Sequence, residues 1–330
     1  MHTAYGMPQT LAAGGTKFMN PDIDFTKPDD LEGAFKALGR NVAVSRGHWE
    51  RDNDCEARDL AWNHIDQMHR QHIHGTYTDA LRFFRSRSNA VSLTRMRMPL
   101  LGIPLWVVVN DIQLGEGLYY QTFTLFNLLH VHMINKISPR ANKSREELDW
   151  FVVSHKLLKF LHAPLTKRFS GIMQLQSGED VPIRVRRAAL REKGYSFDTD
   201  KPDMMNSNKV TSGVIPPRLS GAQRISLDGL EVSARPHRVA AGPVEFLVLR
   251  QGPRDMTVWT EVCPHQGGPL SEGRICQDQI ECPWHGLKFA GARLTEDKPY
   301  GKFGRYELRL ENNTLSIEEK EAAAAPRHAL

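Results

Sequence analysis

Two cysteine–histidine pairs constrain this chain more than any other feature. Cys263 and His265 lie in CPHQGG, and Cys282 and His285 lie in CPWHG, with residues 266–281 between the pairs. Two thiolates and two neutral imidazoles suit a [2Fe–2S] cluster with unlike irons. The cysteines hold one iron, and the histidines hold the iron that accepts the electron. Exchanging two anionic thiolates for imidazoles makes such a cluster easier to reduce. A Cys2His2 zinc site has the same ligand types, but it pairs cysteine with cysteine and histidine with histidine, and this pattern does not.

Over roughly the last hundred residues this pattern resembles the Rieske family. The likeness includes Gly267, Gly268 and Gly286, glycines that let two loops close tightly. High-potential respiratory members carry a second cysteine in each loop, joined as a disulfide. The corresponding positions here are Gly268 and Trp284, so the resemblance points to the ferredoxin and oxygenase branch. Of the four cysteines, Cys55 and Cys276 are left over and far apart. They make no disulfide framework, which fits a reducing compartment.

A second constellation, Asn63, Asp66, His69 and His74, lies in WNHIDQMHRQHIHGTY. On a helix Asp66 and His69 share a face. His74 converges with them if the helix loosens or ends there, and Gly75 permits that ending. Two histidines with one carboxylate leave the opposite face of Fe(II) open to dioxygen and substrate. Taken alone, this histidine-rich stretch reads as a polar helix face. Beside the cluster motif, it resembles the D-x-x-H-x(4)-H signature of Rieske non-haem iron oxygenases. That resemblance implies that His69 and His74 bind iron and that Asp66 bridges the iron's histidine to a cluster histidine. His64 and His72 fall outside the signature and read as neighbours of the site or as surface residues. The third ligand is expected to be Asp180, in QLQSGEDVPIRVRR, with Asp149 and Glu179 in reserve. Ser177-x-x-Asp180 also reads as a capping box, and Pro182 suits an early helical position.

A chain of 330 residues has room for two domains. Residues 1–30 read as an arm, 31–200 as the mononuclear-iron catalytic domain, 201–217 as a linker, 218–320 as the cluster domain and 321–330 as a flexible tail. Helical patterns cover Glu56 to His74, 144–163 and 179–194. Strand patterns cover 91–98, 104–110, 117–126 and 128–138. Asp228–Gly229 signals a hairpin turn, and Tyr306 to Glu311 alternates in polarity before Asn312–Asn313. His130 and His132 share one strand face and read as part of that face rather than of a cavity, and Tyr119, Tyr120, Phe123 and Phe126 read as core. The fold class expected is α+β: a helix-grip (START-like) domain with an antiparallel sheet, followed by an all-β Rieske domain. Most of the resembled family places these domains in the opposite order.

Net charge is +5, with the excess before residue 213. Arg184, Arg186, Arg187, Arg191 and Lys193 read as a solvated helix face or a docking surface for an acidic redox partner. Without interleaved aromatics they do not suggest nucleic acid. The longest apolar run, Met98 to Val109, is broken by Gly102 and Pro104 and falls short of a membrane span. The N-terminus has no signal-peptide core. The expectation is a cytoplasmic protein without membrane contact. The function expected is a terminal oxygenase that uses a Rieske cluster and Fe(II) to hydroxylate or demethylate a hydrophobic small molecule with O2. No flavin or dinucleotide fingerprint appears, so NAD(P)H would act only through a separate flavin or ferredoxin reductase, with or without a ferredoxin. The resemblance also implies a homotrimer in which the cluster of one chain serves the iron of the next. The alternative is a Rieske electron-transfer or ligand-binding protein without mononuclear iron.

Overall fold

Strands β1 (Val42–Asn53), β2 (Tyr77–Arg85), β3 (Asn89–Arg97), β4 (Pro104–Gly115), β5 (Leu118–Leu125), β6 (Leu129–Arg140) and β7 (Lys143–His155) form one antiparallel sheet. Their order is β1-β7-β6-β5-β4-β3-β2 in the computed structural model. It describes residues 23–85, 89–97, 104–141, 143–198 and 213–320. Most of the expected arm, most of the expected linker and the expected tail lie outside the described residues. Helix α1 (Pro28–Ala37) opens with Pro28, Asp29 and Asp30, which suit a helix N-terminus. Together with Ile23 and Phe25 it packs on Ile134, Phe151 and Val153. Residues 23–30 thus belong to this unit rather than to an arm. Long helix α4 (His162–Glu192) covers the other face, where Leu165, Phe169 and Met173 meet Val131, Leu148, Trp150 and Val152.

Two helix expectations are corrected here. Residues 144–155 are strand β7, not helix. Leu148, Trp150 and Val152 pack towards α4 while Phe151 and Val153 pack towards α1, so neither face is polar and the period of two disappears from the sequence. Helix α4 begins at His162, not near 179, which places Ser177, Asp180 and Pro182 in its interior. Ser177-x-x-Asp180 is therefore no capping box.

The basic run on α4 is not a solvated face either. Arg187 is fully buried and pairs at 3.1 Å with Asp59, equally buried on α2 (Ala57–Ile65). Its guanidinium lies 3.9 Å from the Trp62 ring centre and 3.6 Å from that of Phe197. Arg187 also donates to Gln266 Oε1 at 3.0 Å, and Arg186 donates to the Gly267 carbonyl at 2.7 Å. These arginines fasten the first unit to the second. Arg187→Ala would leave Asp59 with Arg191 alone, and should cost about 3 kcal/mol or more in urea unfolding. A loss under about 0.5 kcal/mol would make the pair incidental.

The crossing is stitched by β8 (Ser196–Phe197) pairing with β9 (Val214–Ile215). The second unit holds two four-stranded antiparallel sheets and a three-stranded one. The first comprises β10 (Gln223–Ser226), β18 (Tyr300–Phe303), β19 (Tyr306–Glu311) and β20 (Thr314–Glu319). The second comprises β11 (His237–Ala241), β12 (Val244–Gly252), β13 (Asp255–Thr260) and β17 (Ala292–Thr295). The third comprises β14 (Arg274–Cys276), β15 (Gln279–Glu281) and β16 (Lys288–Ala290), and the second cysteine–histidine loop joins β15 to β16. The hairpin at Asn312–Asn313 is present as β19–β20. The Asp228–Gly229 turn closes no hairpin, because β10 pairs with β20 instead. One apolar core runs through both units, joining Trp62 and Ile183 to Trp259, Cys263, Cys282 and Trp284.

Candidate metal centres

The two cysteine–histidine loops are built alike. Cys263 O accepts from Gly267 N–H at 3.0 Å, and Cys282 O accepts from Gly286 N–H at 2.9 Å. Each cysteine N–H donates to the carbonyl one residue further on, Gly268 at 2.9 Å and Leu287 at 2.8 Å. Gly268 has no room for a side chain, since a Cβ would stand 2.7 Å from Cys282 Sγ. Gly286 has a φ of +66°, and a Cβ there would meet the His72 ring at 2.6 Å. His72 thus roofs the second loop.

The loops bring all four side chains together. Cys263 and Cys282 are buried, and the His265 and His285 ring centres lie 4.7 Å apart. Burial pushes the Cys263 thiol well up. The hydrogen bond between the two sulfurs holds Cys282 down, to about 7. Buried His285 Nδ1 has no hydrogen-bond partner while its Nε2 is engaged by Asp66, which suits a ring that offers Nδ1 to a cluster. The donor set fits a [2Fe–2S] group. His285→Cys should retain a cluster but lower its potential by on the order of a few hundred mV, because a neutral ligand becomes anionic. Redox titration followed by EPR measures this, and an unchanged reduced spectrum would remove His285 from the ligand set.

The second centre depends on a break in the chain. The single helix expected from Glu56 to His74 stops at Ile65, because Asp66 adopts φ −80°, ψ 82°. One tight turn and the short helix α3 (Arg70–Ile73) follow, and His74 is extended. This break turns His69 and His74 towards Asp180 on α4. Ligand atoms of the three residues lie within 4.8 Å of one another. Asp180 Oδ1 is buried without a hydrogen bond and stands 3.3 Å from His69 Nε2 and 3.4 Å from His74 Nε2. Three donors thus face one point, a set that fits a divalent metal ion.

The surrounding groups fix these rings. Glu179 Oε2 lies 2.9 Å from His74 Nδ1, so this reserve ligand orients a histidine instead. Asp149, the other reserve, pairs elsewhere, with Arg46 at 2.8 Å. Arg184 donates to Asn63 Oδ1 at 2.7 Å and to Asp180 Oδ2 at 3.2 Å, which leaves Oδ1 as the free donor. His64 bonds Glu146 at 2.8 Å beside the site. Burial would lower His69, but the carboxylates of Asp180 and Asp66 raise it to about 9. Burial would raise Asp180, yet His69, Arg184 and His74 bring it far below the carboxylate range. The pocket is thus electrostatically suited to a cation, which would displace the His69 proton.

Asp66 stands between the centres. Its Oδ2 lies 2.6 Å from His285 Nε2 and 3.7 Å from His69 Nδ1, the latter at ion-pair range. Sequence reasoning expected this bridge across a subunit boundary. The same contact lies within the chain, where the arginines of α4 hold the Cys263–His265 loop and Trp62 and His72 face the Cys282–His285 loop. A cavity of about 210 Å³ runs from His69, His74 and Asp180 along α4 to Leu125 and Leu165. Tyr119 and Phe123, expected as core, line it. His130 and His132 lie on the opposite face of β6, where His132 meets Tyr120 Oη at 2.5 Å. The roles of Glu179 and Arg184 were missed. The four-residue spacing of Asp180 and Arg184 on one helix was the available signal.

Residues 226–301 match the family model of the Rieske [2Fe-2S] domain. Over 97 residues the chain is 29% identical to the oxygenase component of 3-ketosteroid-9-alpha-monooxygenase from Mycobacterium tuberculosis, covering 28% of this chain and 25% of that protein. Over 81 residues it is 30% identical to the oxygenase component of dicamba O-demethylase from Stenotrophomonas maltophilia, covering 22% of this chain and 24% of that one. The matches thus span about a quarter of the length of these curated relatives. A solved START superfamily protein from Mycobacterium smegmatis aligns with 40% of this chain and 97% of its own, at 9% identity and a TM-score of 0.31.

Proposed function

The chain carries a Rieske [2Fe–2S] domain, and from that premise we propose that it is the terminal oxygenase of a multi-component system acting on a hydrophobic small molecule. One observation carries the reading: a histidine–histidine–aspartate set at the head of an apolar cavity, joined through Asp66 to His285 of the second cysteine–histidine loop. Cys263, His265, Cys282 and His285 would hold the cluster, and His69, His74 and Asp180 a ferrous ion. When bound, the cluster supplies electrons singly and the ferrous ion supplies an open face for O2.

The chain's own residues do the positioning. Asp66 accepts from His285 Nε2–H, which leaves Nδ1 bare for the cluster. Beside His69 Nδ1 it favours the tautomer with Nε2 bare for the metal. Glu179 does the same for His74. Arg184 and Asn63 fix the Asp180 carboxylate. Val107, Val131, Met133 and Phe169 are among the apolar side chains that wall the cavity. Hydroxylation or demethylation of an apolar substrate fits that wall, with NAD(P)H oxidised by a separate flavin or ferredoxin reductase.

Iron and acid-labile sulfide content of anaerobically purified protein tests the reading. About three irons per chain are expected, with a reduced EPR signal of the mixed-ligand type. About two irons, both accounted for by sulfide, would instead make the protein an electron carrier.

A further inference from the structure

The end of the first unit remote from the metals carries an unusual surface. The β5–β6 turn, the segment after β7 and the α1–β1 connection meet there, as the pairs Leu129–Ser154 and Val42–His155 and the 2.8 Å bond from Lys156 N–H to Asn41 O show. Five large apolar side chains stand in solvent: Leu38 at 71% exposure, Phe126 at 66%, Leu128 at 58%, Leu157 at 77% and Phe160 at 72%. Phe126 also occupies the left-handed region, with φ 53°, at the tip of its hairpin. That position disfavours a bulky residue.

The charge at this end has one sign. Residues 33–49, 117–145 and 150–178 contain no Asp or Glu. Arg40, Lys156, Lys159 and Lys167 are exposed there, and among the described residues none of them has a salt-bridge partner. Exposed apolar groups ringed by unpaired cations fit a surface that is apolar inside and anionic at its face.

We propose that this end docks on an anionic lipid bilayer, with Phe126, Leu128, Leu157 and Phe160 in the headgroup–acyl boundary and Lys156 and Lys159 on the headgroups. The cavity supports this occupant. Its far wall includes Leu125 and Leu165, which adjoin Phe126 and Leu161, so an apolar molecule dissolved in the bilayer would enter from the docked side. An acidic electron carrier fits less well. Leu165 lies fifteen residues from Asp180 on one helix, or about 22 Å, so a carrier seated here would be far from either centre. No described helix is long and apolar enough to cross a membrane, so the contact is with the surface only. The sequence-based expectation of no membrane contact rested on that missing span, which surface docking does not need.

Flotation of the full-length, metal-loaded protein with vesicles tests the proposal. Binding should be strong to phosphatidylcholine vesicles containing phosphatidylserine, weak to phosphatidylcholine alone, and diminished by salt. Lys156→Glu with Lys159→Glu should weaken it at least about tenfold. Leu157→Ser with Phe160→Ser should weaken it comparably, and both variants should retain the cluster absorbance. Three outcomes would overturn the proposal: no binding to either vesicle, equal binding to both with no effect of the lysine changes, or self-association abolished by the serine changes. The last would make this face a contact between copies of the chain.

Discussion

His69→Ala should take the iron content of each chain from about three to about two and abolish substrate oxidation, while the cluster absorbance is kept. The ring is buried and supplies one of the three histidine or carboxylate donors that come together there among the described residues. Asp180→Ala should have the same effect through the carboxylate. Because Asp180 also accepts from Arg184 at 3.2 Å, its removal perturbs a buried cation as well. Asp180→Asn separates the two roles. It keeps an oxygen for Arg184 but gives up the anion, so it should spare stability and lower affinity for Fe(II) at least about tenfold. Anaerobic metal titration with unfolding curves on the same samples measures both. Turnover with three irons in His69→Ala would remove the proposed centre, and full affinity in Asp180→Asn would leave Asp180 a purely structural residue.

What could be read from the sequence was local. The cysteine–histidine pairs and Asp66, His69 and His74 are short motifs whose spacing carries the chemistry, and the structure brings each group together. Asp180, expected as a ligand from the resemblance, does lie beside His69 and His74, but not at a helix start. Pro182 is a poor residue for a helix interior, so Ser177, Asp180 and Pro182 read as a helix start. Packing of Leu165, Phe169 and Met173 on the sheet carries α4 through them. Strand β7 was lost for the opposite reason, since burial on both faces erased its alternation. The arginines of α4 show as charge in sequence, but the partner that makes Arg187 a buried clamp, Asp59, is 128 positions away. Asp66 and His285 are 219 positions apart, beyond the reach of any spacing rule.

That distant contact makes the sharpest prediction, that the working pair of sites lies within one chain. Asp66→Asn keeps the size of the side chain but removes its charge and one acceptor. Both sites should stay occupied, while oxidation of a pre-reduced cluster in a single turnover with substrate and O2 slows at least about tenfold. An unchanged rate would take Asp66 out of the route. Mixing then decides between one chain and two. Cys263→Ser removes the cluster and His69→Ala removes the mononuclear metal, each leaving the other site in place, which metal analysis confirms. In a ring where the cluster of one chain serves the next, co-expressing the two variants would restore a fraction of the activity. With Asp66 2.6 Å from His285 of its own chain, and Arg186 and Arg187 fastening the Cys263–His265 loop to the helix that carries Asp180, neither variant should supply what the other lacks. The mixture should therefore show no more turnover than the two variants separately, whatever size the assembly has by sedimentation. Turnover well above that sum would place the pair across a subunit boundary, and the contact within the chain would then be structural.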